Sequence, residues 1–194
     1  MYCVTEFMGK GDLASFLHSK EGKELAEDEA TLIRWAKEIA AGMHHLHQEG
    51  IVHRDLAARN LLLTANLAIK VSDFGLAKKG LDDEAESSGS SKELGPLKWM
   101  APECFTDRQY SEKTDVWSYG VCLWEMLSKG AEPHPELSPQ EAVLALVEEG
   151  KTLAIPEDAP PVLQKIIESC FNVNPAERPT FKDILATLKK AHKK

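Results

Sequence analysis

Two short apolar segments, residues 61–63 and 67–71, constrain the fold of this chain more than any other feature of its sequence. Asn66 separates them and belongs to a residue type that favours tight turns, so the pattern predicts a small β-hairpin. Asn60 directly precedes the first segment, and Asp73 follows the second. Both side chains carry oxygen atoms suited to a hard cation. The sequence therefore places two potential metal ligands at strand ends.

Most of the remaining chain is predicted to be helical. Residues 28–50 repeat apolar side chains at steps of three and four, and Gly50 suits the left-handed residue that follows a helix. The repeated residues are Leu32, Ala36, Ile39, Met43 and Leu46. Further helices are predicted within residues 114–130, 138–150, 163–170 and 181–188. Ser138 and Glu141 form a capping box at the start of the second of these, with Pro139 at its first position.

The composition predicts one domain with a substantial core, because 43% of the 194 residues are apolar. The net charge of −8 argues against a nucleic-acid partner, since phosphate backbones are bound by clustered lysines and arginines. No apolar run approaches the ~18 residues that span a bilayer, and residues 1–12 do not resemble a signal peptide. The four cysteines form no CxxC pair, which indicates buried thiols in a reducing compartment. We therefore expect a cytoplasmic segment, although the parent protein could be membrane-anchored.

Three motifs carry a family resemblance. Residues 53–60 read HRDLAARN, residues 73–78 read DFGLAK and residues 98–103 read KWMAPE. They resemble the catalytic loop, the metal loop and the end of the activation segment of a eukaryotic protein kinase of the tyrosine-kinase or tyrosine-kinase-like group. The match covers nearly all of the chain, and it makes residues 73–103 the activation segment.

No glycine-rich GxGxxG loop and no VAIK-type lysine precede these motifs. The chain therefore resembles the C-terminal lobe of a kinase domain, with residues 1–9 as the last strand of the N-terminal lobe and the hinge. The resemblance implies a mainly α fold, in which a helical bundle carries a short β-hairpin that bears the catalytic and metal loops. It also implies ATP and a protein as substrates and Mg²⁺ as the cofactor.

The resemblance assigns roles to several residues. Asp55 would accept the proton of the substrate hydroxyl, while Asn60 and Asp73 would hold two Mg²⁺ ions across the phosphates. His53 and Phe74 would brace the loop. Each of these residues taken alone could be an ordinary cap or turn residue, but their joint spacing favours phosphoryl transfer.

A nucleotide pocket is expected where the first residues of the chain meet the hairpin. By resemblance, Glu6 and Met8 would offer backbone groups to adenine, Thr5 would be the gatekeeper, and Leu62 would form the lower face of the adenine slot. The alternative is an ordinary edge strand with a core leucine.

Two further residue pairs resemble structural anchors of the family. Glu103 would pair with Arg178 beneath the activation segment. Asp115 would tie down the catalytic loop, or would simply cap the N-terminus of its helix.

The hydroxyl acceptor is expected to be tyrosine. Serine/threonine kinases generally carry a lysine two residues after the catalytic aspartate, whereas this chain has Ala57 there and Arg59 four residues after. Residues 96–99 also resemble the platform on which a tyrosine-kinase substrate rests. A tyrosine-kinase-like enzyme specific for serine or threonine remains the alternative.

The activation segment holds no tyrosine, so we expect any phosphate switch there to use Ser87 or Ser88. Arg54 and Lys78 match the cations that read such a phosphate in the family. A solvated acidic loop is the equally weighted alternative.

Two classes of protein remain open. The chain is either part of an active kinase or a truncated lobe that binds partners and regulates a complete kinase. In both cases we expect negligible turnover by this chain alone, because the lysine and glycine loop that hold ATP phosphates are missing.

Overall fold

The computed structural model describes residues 5–79 and 97–191. Helices dominate these residues, and the strands are short and antiparallel. The strands are β1 (Gly11–Asp12), β2 (Ile51–Val52), β3 (Leu61–Leu63), β4 (Ile69–Val71) and β5 (Lys78–Lys79). The α-helices are α1 (Leu13–His18), α2 (Lys20–Leu25), α3 (Glu29–Gln48), α4 (Glu103–Thr106), α5 (Glu112–Leu127), α6 (Pro139–Glu149), α7 (Pro161–Cys170) and α8 (Phe181–Ala191). Short 3-10 turns lie at Ala58–Asn60, Leu97–Trp99 and Pro175–Glu177. The predicted helical bundle with a small hairpin is confirmed.

The predicted hairpin is formed by β3 and β4, with Leu61 opposite Val71. Its turn has one feature that the sequence did not indicate, since the left-handed residue is Leu67 (φ 61°) and not the neighbouring Asn66. Hydrogen bonds within the loop hold Leu67 there: its N–H donates to the Thr64 carbonyl at 3.0 Å, and the Thr64 N–H donates to the Ala68 carbonyl at 3.0 Å.

The hairpin is part of a larger arrangement than predicted. β1 pairs with the free side of β3, so that Gly11 lies opposite Leu63 and the sheet has the order β1-β3-β4. Separately, β2 pairs with β5. The β2–β5 pair therefore joins the segment just before the HRD motif to the segment just after the DFG motif. The β3–β4 hairpin joins the segment just after the HRD loop to the segment just before the DFG motif. This double pairing places the HRD and DFG motifs side by side.

Residues 1–4 of the segment predicted as the last N-terminal-lobe strand lie outside the described residues. Residues 5–8 have no regular secondary structure, and the first strand within the described residues is Gly11–Asp12. The assignment of residues 1–9 to the last strand of the N-terminal lobe and the hinge stays a prediction. A two-residue strand has no detectable alternation, which explains why the sequence pattern missed it.

The long helix α3 runs through the core. Asp28 caps it by accepting from the Thr31 N–H at 2.9 Å, and Gly50 takes the predicted left-handed conformation (φ 71°) just beyond its end. Trp35, Ile39 and Met43 are completely buried on its inner face. The helix packs against α8, α5 and β4.

Helix α5 is the central helix, and nearly all of its side chains are buried. It begins at Glu112, two residues before the predicted start, because Ser111 and Thr114 form the capping box. The suggestion that Asp115 caps this helix is therefore wrong. Tyr119 joins α5 to α3 through a 2.9 Å hydrogen bond from its hydroxyl to the Ala36 carbonyl.

The capping box of Ser138 and Glu141 is present at the start of α6, and Gly150 is left-handed (φ 65°) at its end. The predicted helices at residues 163–170 and 181–188 correspond to α7 and α8. Within the described residues, no helix is both long and apolar enough to cross a lipid bilayer.

Candidate active site

Asp115 of α5 fixes the backbone of the HRD turn by two hydrogen bonds. Its Oδ2 accepts from the His53 N–H at 2.8 Å, and its Oδ1 accepts from the Arg54 N–H at 2.9 Å. The side chain is only 1% exposed, and His47 approaches it from α3 with Nε2 at 2.9 Å from Oδ2. Arg54 is left-handed (φ 68°), a conformation that is unfavourable for a side chain of its type. The two backbone bonds to a buried carboxylate stabilise this bend.

The Asp55 carboxylate is bonded through both oxygens. Arg59 Nη2 donates to Oδ1 at 2.5 Å, and Asn60 Nδ2 donates to Oδ2 at 2.9 Å. Asn60 Nδ2 also donates to the Asp55 carbonyl at 2.7 Å. The 3-10 turn Ala58–Asn60 makes this possible, because it folds residues four and five positions after Asp55 back onto it. The loop is thereby closed around an aspartate whose side chain is 16% exposed.

Ser72, which the sequence analysis did not identify, joins the DFG motif to this loop. Its N–H and its hydroxyl each donate to the Asn60 carbonyl at 2.9 Å, and its own carbonyl lies 3.0 Å from His53 Nε2. The next residue, Asp73, is exposed and left-handed (φ 60°). Its Oδ1 accepts from the Gly75 N–H at 3.2 Å. Asp55 and Asn60 therefore belong to one hydrogen-bonded assembly, and Ser72 ties to it the backbone immediately before Asp73.

The rings of His53 and Phe74 lie 5.7 Å apart between their centroids, which is within the range of a favourable aromatic pair. His53 is fully buried, whereas Phe74 is 51% exposed. The expectation that both brace the loop stays a prediction, and the geometry is compatible with it.

The donor set suits Mg²⁺, which prefers carboxylate and amide oxygens. Asp73 supplies a carboxylate at the solvent surface. Asn60 directs its amide nitrogen to Asp55, and its Oδ1 takes no part in those bonds. In the described part of the chain, no cluster of three or more histidine, cysteine, aspartate or glutamate side chains forms another candidate metal site.

A second acid, Glu125 of α5, was also missed by the sequence analysis. Its Oε2 accepts from the Ala58 N–H and from Trp99 Nε1, both at 2.9 Å. Burial raises the pKa of this carboxyl to about 7. Arg59 stacks on the Trp99 ring, with 5.0 Å between its guanidinium carbon and the ring centroid. A single charged residue within the otherwise uncharged sequence 116–127 was the signal that could have revealed it.

Of the residues predicted for the adenine pocket, Met8 and Leu62 are the two that the hydrogen bonds place near the same strand edge. Thr5 and Glu6 are exposed, and Met8 is half-buried. The Met8 carbonyl accepts from the Gly11 N–H at 3.2 Å, and the Lys10 N–H donates to the Leu63 carbonyl at 3.1 Å. These bonds bring the segment after Met8 beside β3, which carries the half-buried Leu62. The nucleotide-binding roles of all four residues stay predictions.

The serines proposed as a phosphate switch, Ser87 and Ser88, lie outside the described residues. Of the two cations predicted to read such a phosphate, Arg54 stacks on Tyr110 at 4.9 Å, and Lys78 is an exposed residue of β5. That hypothesis stays a prediction.

Comparison with known proteins defines the family. The model of the protein tyrosine and serine/threonine kinase family matches residues 1–188. The chain belongs to this family, and its fold is that of a kinase C-terminal lobe.

Among curated proteins, the chain is 41% identical over 188 residues to a megakaryocyte-associated tyrosine-protein kinase of Mus musculus. The matched region covers 97% of this chain and 35% of that protein. It is 41% identical to an ephrin type-A receptor 3 of Danio rerio, over 95% of this chain and 18% of the receptor. It is also 36% identical to a serine/threonine/tyrosine-protein kinase HT1 of Arabidopsis thaliana, over 98% of this chain and 47% of that kinase. The chain thus spans less than half the length of each of these relatives.

Proposed function

We propose that this chain is the catalytic lobe of an ATP-dependent protein kinase that transfers the γ-phosphoryl group to a protein hydroxyl, with tyrosine as the preferred acceptor. One observation carries the proposal. The Asp55 carboxylate is held by Arg59 and Asn60, and Ser72 connects the same loop to Asp73. Phosphoryl transfer depends mainly on placing charged groups around the phosphates, and a hydrogen-bonded loop of this kind supports the proposal.

Each side chain has a defined task in the proposed reaction. Asp55 orients the acceptor hydroxyl and receives its proton as the oxygen attacks the γ-phosphorus, while the bond from that phosphorus to the β–γ bridging oxygen breaks and ADP leaves. Arg59 and Asn60 fix the Asp55 carboxylate by their two hydrogen bonds. Asn60 and Asp73 would hold Mg²⁺, which when bound neutralises charge on the β- and γ-phosphates. Ser72 bonds the Asn60 backbone and directly precedes Asp73, so it would keep the two proposed metal ligands near each other.

Tyrosine is favoured as the acceptor because Arg59 stands four residues after Asp55 and stacks on Trp99, the last residue of the segment that resembles a substrate platform. The relatives named as tyrosine kinases support the same choice. Transfer to serine or threonine is the second candidate, and the HT1 relative, named a serine/threonine/tyrosine kinase, favours keeping it.

We further propose that turnover requires an N-terminal lobe with a phosphate-binding lysine and glycine loop, so that this chain alone is inactive. A cytoplasmic location fits both the use of ATP and the free, buried thiols of Cys104, Cys122 and Cys170. A regulatory lobe without catalysis is the alternative, and it predicts that the natural protein lacks the lysine and the glycine loop.

A peptide array tests the proposal. The natural protein that carries this chain is incubated with Mg²⁺ and γ-labelled ATP on matched peptides that differ only in tyrosine, serine or threonine as the acceptor. We expect label on tyrosine peptides. Exclusive labelling of serine and threonine peptides would replace tyrosine by the second candidate, and no labelling of any peptide would refute the enzyme.

A further inference from the structure

We propose that Glu125 is a positioning residue that holds the acceptor side of the site in register with the catalytic loop. The inference rests on the proposed kinase function and deepens it. It concerns how the turn Leu97–Trp99, which precedes α4, keeps its place relative to Asp55. We name it the acceptor-side turn, because it lies in the segment that resembles a substrate platform.

Glu125 is 5% exposed and lies in the last turn of helix α5. A single oxygen, Oε2, accepts from two elements that are far apart in sequence. One donor is the Ala58 N–H of the catalytic loop, and the other is Trp99 Nε1 of the acceptor-side turn, each at 2.9 Å. A carboxylate that receives two N–H bonds on one oxygen fixes the two donors relative to each other.

Two other contacts position the same turn. The Ser118 hydroxyl donates to the Trp99 carbonyl at 2.8 Å. Ser118 lies about two turns before Glu125 in α5. Arg59 lies over the Trp99 ring and also bonds Asp55 Oδ1. Trp99 is therefore connected to Asp55 through the Arg59 side chain, and to the Asp55 loop through Glu125. A shift of Trp99 would therefore change the position of the turn Leu97–Trp99 relative to Asp55.

The chemistry at this position argues for a role beyond packing. A buried carboxyl is costly, and an apolar side chain of similar size is often as stable or more stable in a helix core. Here an apolar residue would leave the Ala58 N–H and Trp99 Nε1 without their acceptor. The groups that face the carboxyl are Trp99, Arg59 and the Cys122 thiol, in addition to the Ala58 backbone. Of these, Arg59 carries a full charge.

The test uses the natural protein that carries this chain and two acceptors for the same phosphoryl group. A tyrosine peptide depends on the acceptor-side turn, whereas water, measured as ATP hydrolysis, does not. We expect Glu125→Leu to lower peptide kcat/KM by about ten- to a hundredfold, in line with loss of a hydrogen bond to a charged group. ATP hydrolysis is expected to fall much less. Glu125→Gln, which keeps an acceptor oxygen, is expected to retain most of the peptide activity.

Trp99→Phe removes the indole donor and keeps a smaller aromatic ring under Arg59, so it tests one of the two bonds. If the inference holds, the losses of peptide kcat/KM caused by Trp99→Phe and Glu125→Leu are not additive. The double variant is then at most about threefold less active than the less active of the two single variants. Leu188→Ala in α8 is the control, because it removes a fully buried side chain from another part of the core. It is expected to reduce stability while leaving the ratio of peptide transfer to ATP hydrolysis unchanged.

An independent readout does not require activity. The ¹⁵N-labelled indole signal of Trp99, assigned by its loss in Trp99→Phe, is expected to move upfield and exchange faster in Glu125→Leu, but not in Glu125→Gln. A wild-type protein that labels no peptide would refute the proposed function, and this inference with it. An active wild type in which Glu125→Leu reduces both reactions equally, or neither, would overturn the inference alone.

Discussion

Removal of Arg178 should be among the most damaging single changes outside the active site. Its guanidinium makes a two-pronged ion pair with Glu103, with Nη1–Oε1 at 2.6 Å and Nη2–Oε2 at 2.8 Å. It also donates to the backbone carbonyls of Lys113 and Asn172 at 2.9 Å and 2.8 Å. Arg178 is 1% exposed and Glu103 is 8% exposed, so neither group has water as a replacement partner.

The expected cost follows from this geometry. Arg178→Met keeps much of the side-chain volume beside Trp117, whose ring the guanidinium covers at 5.0 Å. It leaves the Glu103 carboxylate buried and unpaired, together with two backbone acceptors. Breaking a buried pair in this way costs about 3–5 kcal/mol, which in a domain of this size lowers Tm by about 10 °C. In the double variant with Glu103→Leu, the uncompensated charge is absent, so part of that loss should be recovered.

Urea unfolding of the chain, followed by tryptophan fluorescence and circular dichroism, measures these differences. We expect the order wild type, then the double variant, then Arg178→Met, from most to least stable. A loss below about 1 kcal/mol for Arg178→Met would show that the pair is solvated in solution, and would refute the reasoning from burial.

Three other changes test separate parts of the structure. Gly120→Ala would place a Cβ 2.8 Å from Cys170 Cβ and 2.9 Å from Phe171 Cε1, so we expect a loss of about 1–3 kcal/mol in urea unfolding. Ser138→Ala removes the α6 cap and should cost about 1 kcal/mol in the same assay. Burial raises the pKa of Glu125 from 4.5 to about 7, so between these pH values the folded state binds a proton that the unfolded chain has lost. The contribution of this group to the free energy of unfolding is therefore largest below pH 4.5, and it falls by about 3 kcal/mol as the pH rises through 7. Glu125→Gln should therefore flatten the pH dependence of the urea midpoint between pH 5 and 7.5, and an unchanged slope would contradict the burial argument.

The sequence predicted the features that depend on neighbours along the chain. The hairpin, the left-handed Gly50 and the capping box at Ser138 are local, because each follows from a few consecutive residues and their turn or helix chemistry. The start of α5 was misplaced because Ser111 and Thr114 cap it with a threonine in the position where glutamate or glutamine is the usual signal.

The features that the sequence analysis missed depend on contacts between distant residues. Glu125 and Ala58 are 67 positions apart, and Asn60 and Ser72 are 12 apart. The periodicity of apolar residues does not predict such bonds, because they form only where the folded chain brings distant segments together. The same limit applies to Asp115, which the family resemblance assigned to the catalytic loop and whose two backbone bonds the structure shows.

The most direct test of the account is phosphoryl transfer to a tyrosine peptide by the natural protein that carries this chain, compared between wild type and Asp55→Asn. The substitution keeps the shape and the hydrogen-bonding reach of the side chain, but it removes the charge that would receive the proton. We expect transfer to fall by at least about a hundredfold, with Mg²⁺-dependent ATP binding retained. Undiminished transfer by Asp55→Asn would contradict the assignment of Asp55 as the base on which the proposed mechanism depends.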